Sequence, residues 1–241
     1  MREDPRRAAE RVEHDLRAWE QELARRWGLP CDFLRQGHIR HQPSDENRAI
    51  WSPDGGVILC RDENIAKGVA DAIGMHTADG YARLLSKLRH TLREKMSAAS
   101  CRIDVSLYRG GSPCSLFNKV SESVQVLPPG AEGLPDLPAE VEHVFAIRIG
   151  SVIASWASNI PQLKVDDHWL HSVGIGTHPH HRRKGLGKSV VSALVEHIAA
   201  EGGAALWVCE ADNVPSLGLA SSLGFIVHFC VLAWKVTQGT P

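Results

Sequence analysis

The sequence predicts an α/β (α+β) protein in two parts, a smaller N-terminal α+β region over residues 1–115 and a second domain over 116–241. Three observations predict it. Past residue 120, short alternating apolar runs recur, as half-buried strands require, and helical patterns separate the later ones. The order in that half is β-β-β-α-β-α-β. The chain has 241 residues, 43% hydrophobic and 23% charged, a globular composition with enough material for one large domain or two small ones.

The first segment is helical by period. Val12, Leu16, Trp19, Leu23 and Trp27 share one face, and Gly28 and Pro30 stop it. Such a face packs on a core or meets a partner helix. A polar loop, QPSDENR, leads to a short strand, GGVILCR. Ala66–Ile73 and Tyr81–Met96 read as helices, the second with Leu84, Leu85, Leu88 and Leu92 on one stripe. Cys101–Tyr108 alternates like a strand and ends in a turn, RGGSP. Composition changes near residues 109–120, a plausible boundary.

Ser123–Leu127 is strand-like. The segment PPGAEGLPDLP is too rich in Pro and Gly for a helix longer than a turn. Val141–Ile149 and Ser151–Ala157 read as a hairpin joined at Gly150, and Trp169–Thr177 as a third strand. Leu186–Glu201 is a helix with Val190, Val191, Leu194, Val195 and Ile198 apolar. Ala205–Glu210 is a strand, Pro215–Leu223 a short helix and Phe225–Val236 a final strand or strand pair.

Formal net charge is -1, which gives no general reason to expect nucleic acid or an acidic membrane surface as partner. The opening residues lack the apolar core of a signal peptide, and no apolar run is long enough to span a bilayer. The six cysteines are scattered without a C-x-x-C pair, so reduced thiols in a cytoplasmic protein are expected.

The stretch HPHHRRKGLGKS, residues 178–189, ends as a nucleotide-binding P-loop does. A P-loop needs a glycine five places before Gly187, where Arg182 stands, and no apolar strand ending in Asp follows to hold magnesium. Read from Arg182, the same residues are Arg-x-x-Gly-x-Gly between a strand and a helix. A helix start offers unpaired N–H groups and a positive dipole end to phosphate. Gly185 and Gly187 let a pyrophosphate approach the backbone. Arg183, Lys184 and Lys188 add positive charge. His178, His180 and His181 supply too few ligands for a metal, and none is expected.

The loop, the preceding strand VGIGTHP and the downstream NVPSLGLASSLGF together resemble the GNAT acetyltransferase superfamily over about residues 120–236. The resemblance implies a mixed central sheet in which two adjacent parallel strands, Trp169–Thr177 and Ala205–Glu210, splay apart around the pantetheine arm of acetyl-CoA. It implies cofactor contacts from Val173, Ile175 and Thr177, from Arg182, Arg183, Lys184, Gly185, Leu186, Gly187 and Lys188, and from Asn213 and Ser216. The Ile175 backbone N–H would receive the oxyanion.

Some superfamily members carry a glutamate base eleven residues before the first loop residue, and that position is His171 here. Imidazole, with a pKa near ~6.5, suits the task. His171 is also readable as a polar residue on an exposed strand face. Glu210, Asp166, Asp167 and His168 are reserve candidates. The tyrosine that many members use to protonate the leaving thiolate is replaced by Ala220, with Ser216, Ser221 or water as substitutes.

The expected activity is acetyl transfer from acetyl-CoA to a primary amine, small molecule or peptide, directly in a ternary complex, by a monomer or homodimer. The alternative is a non-catalytic acyl-CoA-binding or sensor module. A regulatory role in which the N-terminal half binds a protein partner is weaker, since that half has no basic run or helix-turn-helix pattern. Only thirteen residues, PPGAEGLPDLPAE, join Leu127 to Val141, too few for the two helices that wall the acceptor groove in most superfamily members. The N-terminal region is therefore expected to cover that groove near His171, with the Tyr81–Met96 helix as one wall.

Overall fold

The structure is a computed structural model describing residues 5–74, 90, 100–109 and 123–235. The expected Tyr81–Met96 helix (His90 apart), the turn after Arg109 and the boundary between residues 115 and 116 lie outside the described residues. The backbone forms two compact units interleaved along the chain. One comprises Met1–Trp19, Leu107–Val208 and Gly218–Ile226; the other comprises Glu20–Ser106, Cys209–Leu217 and Val227–Pro241.

In the first unit five strands lie side by side in chain order: β5 (Val124–Leu127), β6 (His143–Ile149), β7 (Val152–Val165), β8 (His168–Thr177) and β9 (Ala204–Glu210). Neighbours are antiparallel up to β8, and β9 runs parallel to β8. Gly150, at φ 62, makes the expected β6–β7 turn. Strand β7 runs well past Ala157, where the sequence placed its end. It carries Pro161, which lacks a donor, beside a register shift between Pro161 and Leu163. Residues 128–142 hold turns and no helix, as their prolines require.

A parallel pair needs a crossover, and helix α3 (Leu186–Ala200) supplies it. It packs across β6, β7 and β8 and buries Val190, Val191, Leu194, Val195 and Ile198. Full burial of each such side chain contributes about 1.5–3 kcal/mol. The first part of α1 (Pro5–Trp27) belongs to this unit too. Its Asp15, 1% exposed, accepts from the Tyr108 hydroxyl at 2.5 Å and lies 2.8 Å from Nε2 of His168. Burial, with the Asp15 carboxylate beside it, pushes the Tyr108 phenol far above its ordinary range.

In the second unit β1 (Ile39–Gln42), β3 (Gly55–Leu59), β2 (Arg48–Ser52), β10 (Ile226–Lys235) and the part of β4 (Ser100–Arg109) up to Ser106 lie in that order. The expected polar loop, QPSDENR, lies between β1 and β2, two strands that the sequence does not announce. Only Ala49–Trp51 of β2 is buried, and β1 is mostly exposed, so neither gives an alternating signal. Phe225–Val236 resolves into the single strand β10. Helix α2 (Glu63–Gly74) is capped by Asp62, whose Oδ1 accepts from the backbone of Asn64 at 2.8 Å and Ile65 at 3.1 Å. Helix α4 (Val214–Ser222) follows β9. Among the described residues Cys31, Cys60, Cys209 and Cys230 form no disulfide, and no helix is long and apolar enough to cross a membrane.

Candidate functional site

Strands β8 and β9 part company. They pair at Leu170–Ala204, His171–Ala205 and Ser172–Leu206, and the pairing ends there. Beyond Ser172, β8 continues to Thr177 with β7 as its partner on the other side, Val173 opposite Asn159 and Ile175 opposite Ala157. Among the described residues the parallel edge of β8 is thus left without a strand from Val173 onward. An extended chain could add there by backbone hydrogen bonds, as a peptide adds to a sheet edge.

The open end of β8 leads into the loop. A single 3-10 turn, Pro179–His181, precedes Arg182, whose Nε donates to the Thr177 carbonyl at 3.3 Å. Arg182, Arg183, Lys184 and Lys188 are all exposed. Gly185 is the N-cap of α3 at φ 78, and no side chain caps the helix. A Cβ on Gly185 would meet no atom within 4 Å, so the space in front of the helix start is open. Gly187 has a different task. A Cβ there would come within 3.2 Å of Ile175 Cδ1 and 3.3 Å of Thr177 Oγ1, so its bareness lets α3 seat against β8. Arg183, at φ 59, holds a left-handed conformation that costs a non-glycine residue energy.

Alternation along β8 sorts its side chains. Ile175 and Thr177 face Gly187 and therefore α3, and Val173 and His171 share that face. On the other face a Cβ at Gly176 would overlap the Trp156 indole, and one at Gly174 would lie 3.1 Å from Ser158 Oγ. The two glycines of VGIGT make room for Trp156 of β7.

His171 sits at the closed end of the splay, where the strands still pair, and it is 3% exposed. Its Nδ1 lies 3.0 Å from Nδ2 of Asn159, and 3.9 Å from a carboxylate oxygen of Glu142. The Asn159 amide is oriented by a second bond: its Oδ1 accepts from the His143 backbone N–H at 3.1 Å. Nδ2 is then the donor to His171, whose ring carries its proton on Nε2. Burial holds the His171 pKa below the ordinary histidine value, against the opposing charges of Glu142 and Glu201. The residue is a buried histidine whose charged form is disfavoured, not the exposed strand residue of the blander reading.

The structure brings His171, Val173, Ile175, Thr177 and the loop 182–188 together in one unit. Glu210, Asn213 and Ser216 belong to the other. There Glu210 lies 3.3 Å from Arg102, and the Asn213 side chain accepts from the Ser216 backbone at 3.2 Å, capping α4. Of the reserve candidates, His168 is held by Asp15, while Asp166, at φ 51, forms the β7–β8 turn. Ala220 is 0% exposed, so a tyrosine ring could not enter its place without displacing core.

Sequence reasoning missed Asn159 and Trp156, whose partners come from the next strand and are invisible to spacing along one. It also missed a group formed by His143, His197 and Glu201, the one set of three potential metal ligands among the described residues. The motif-like His178, His180 and His181 form no such set; the His178 ring lies tilted beside the other two, with centroids 5.4 and 5.6 Å away.

Residues 172–234 match the family model FR47-like protein, which is GNAT-related. No curated protein matches the chain. Among solved structures, a GNAT-family protein from Novosphingobium aromaticivorans is 17% identical, with a TM-score of 0.47, the match covering 58% of this chain and 66% of that one. A GCN5-related N-acetyltransferase-like protein from Streptococcus suis is 16% identical, with a TM-score of 0.44 and coverages of 62% and 68%. A GCN5-related N-acetyltransferase from Kribbella flavida is 18% identical, with a TM-score of 0.40 and coverages of 63% and 64%.

Proposed function

From a C-terminal half that carries the GNAT arrangement and matches the FR47-like family over residues 172–234, we propose that the protein is an acetyl-CoA-dependent N-acetyltransferase acting on a primary amine. The observation that carries this is the parting of β8 from β9 beside an uncapped, glycine-started helix with four exposed cations. The helix start takes the pyrophosphate on its free N–H groups. Arg182, Arg183, Lys184 and Lys188 neutralise its charge and that of the 3′-phosphate. The free edge of β8 from Val173 to Thr177 takes the pantetheine arm as a surrogate strand, and this lays the thioester toward the closed end of the splay.

Acetyl-CoA supplies an activated acyl group. The amine nitrogen bonds to its carbonyl carbon, the C–S bond breaks, and the thiolate leaves with the electron pair. The Ile175 N–H donates to the oxyanion between these events. The amine proton reaches His171 through water, because the ring is too buried to touch an acceptor. It enters at Nδ1 in exchange for the Asn159 bond. With Ala220 buried, water protonates the thiolate, a tolerable leaving group near the ~8.5 of a free cysteine thiol.

One observation favours a second reading, an acyl-CoA-binding module without turnover: the tyrosine's place is core and the histidine is sealed. Release of free thiol from acetyl-CoA, measured with the purified chain across a panel of amines, separates the two. The enzyme reading expects turnover with at least one amine, and a fall in kcat of about 10²-fold or more in His171→Ala with acetyl-CoA affinity kept. Its acidic limb should lie below about pH 6.5, since burial lowers the histidine pKa, and should move in the variant. Acetyl-CoA binding without thiol release from any amine would favour the module.

A further inference from the structure

His143 begins β6, His197 lies in the last turn of α3, and Glu201 is the C-cap of the same helix. Four residues apart, His197 and Glu201 leave the helix on one face. The His143 and His197 rings meet edge to face with centroids 4.3 Å apart. One ligand atom from each of the three side chains lies within 4.8 Å of both others. Nε2 of His197 stands 3.4 Å from Oε1 of Glu201.

The geometry points to a divalent transition-metal site, and we propose that His143, His197 and Glu201 bind Zn²⁺. Tetrahedral zinc with bonds of about 2.0–2.1 Å places neighbouring ligand atoms about 3.4 Å apart. The His197–Glu201 edge already has that spacing, and the other two close by rotation about side-chain torsions.

A second, independent observation points the same way. Nδ1 of His143 and Nε2 of His197 are buried and make no hydrogen bond. An imidazole nitrogen with no hydrogen bond at His143, beside one at His197 that has only the Glu201 carboxylate 3.4 Å away, is costly when nothing lies between them and natural when a cation fills the gap. The surroundings hold the ligands in place. The His143 backbone is fixed by Asn159, and the Phe145 ring packs 5.5 Å from that of His197. Glu201 is exposed, so an ion can enter from solvent and a water can complete the set.

The donor set selects the class of ion. Calcium and magnesium want oxygen ligands throughout, and copper(I) wants sulfur, whereas two imidazoles and a carboxylate suit zinc. Bound there, the ion ties the first residue of β6 to the end of α3, a link between strand and helix that no covalent bond supplies.

The test uses the full chain stripped with a chelator and Co²⁺ as a spectroscopic stand-in for zinc. One equivalent should bind with the intense visible bands of a tetrahedral centre. Zn²⁺ should displace it, and added Zn²⁺ should raise the Tm. His197→Ala should weaken binding by about 100-fold or more, and His181→Ala, in the other histidine group, should leave it unchanged. If His197→Ala fails to fold, the exposed Glu201→Gln takes its place and should weaken binding at least about tenfold. No uptake by the stripped chain, or uptake that survives the His197 or Glu201 change, would overturn the site.

Discussion

At the scale of single residues, the charges that matter most are buried and held from more than one side. Glu20, in the second part of α1, sits 2.6 Å from Arg35 and 3.1 Å from His228. Burial alone would raise its pKa, but the bonds and charges of His228 and Arg35 outweigh that and hold it below the ordinary carboxylate value. A folded-state pKa below the unfolded one contributes stability that is present above the unfolded pKa of about 4.3 and lost as the pH falls through the folded value. Urea unfolding of the parent and of Glu20→Gln should therefore differ clearly at neutral pH and converge in acid. A gap that does not shrink on acidification would mean that Glu20 acts through packing and not through its charge. His171 shows how far such details can be read in advance. Its place on β8 was legible by counting back from the loop. Its burial was not, because Asn159 of β7 and Glu142, just ahead of β6, reach it from elsewhere in the chain and no pattern along β8 records them.

At the scale of elements, the interrupted pairing of β8 and β9 and the start of α3 form the proposed site, and the first helix packs beside β8. The C-terminal order of strands and helices was plain in the sequence, because buried faces impose a period of two on strands and about 3.6 on helices. The β8 edge was legible only through resemblance, since a strand that loses its neighbour keeps the same alternation. Strands β1 and β2 were illegible for the opposite reason: most of β1 is exposed, and the buried part of β2 spans only three residues. The contact of α1 with β8 rests on Asp15, which accepts from Tyr108 of β4 and faces His168 of β8. Asp15→Ala should cost about 1–3 kcal/mol for each buried group left unpaired, read as a lower urea midpoint. Asp15→Asn, which keeps an acceptor oxygen, should recover part of the loss. Equal stability of Asp15→Ala and parent would remove α1 from the support of β8.

At the scale of the whole molecule, the two units share the chain in alternating segments, so no single cut yields either one. A chain begun near Ser115 would lack Met1–Trp19 and Leu107–Arg109 of the very unit that holds β8 and α3. The central claim is that the start of α3 and the free edge of β8 hold acetyl-CoA. Calorimetric titration of acetyl-CoA into the intact chain and into Gly185→Asp is the sharpest test, because a Cβ at Gly185 enters open space and the substitution adds a carboxylate where the pyrophosphate would lie. Tight one-to-one binding by the parent and a severe loss in the variant, with the variant still folded, are expected. The same affinity in both, or no binding by the parent, would contradict the claim.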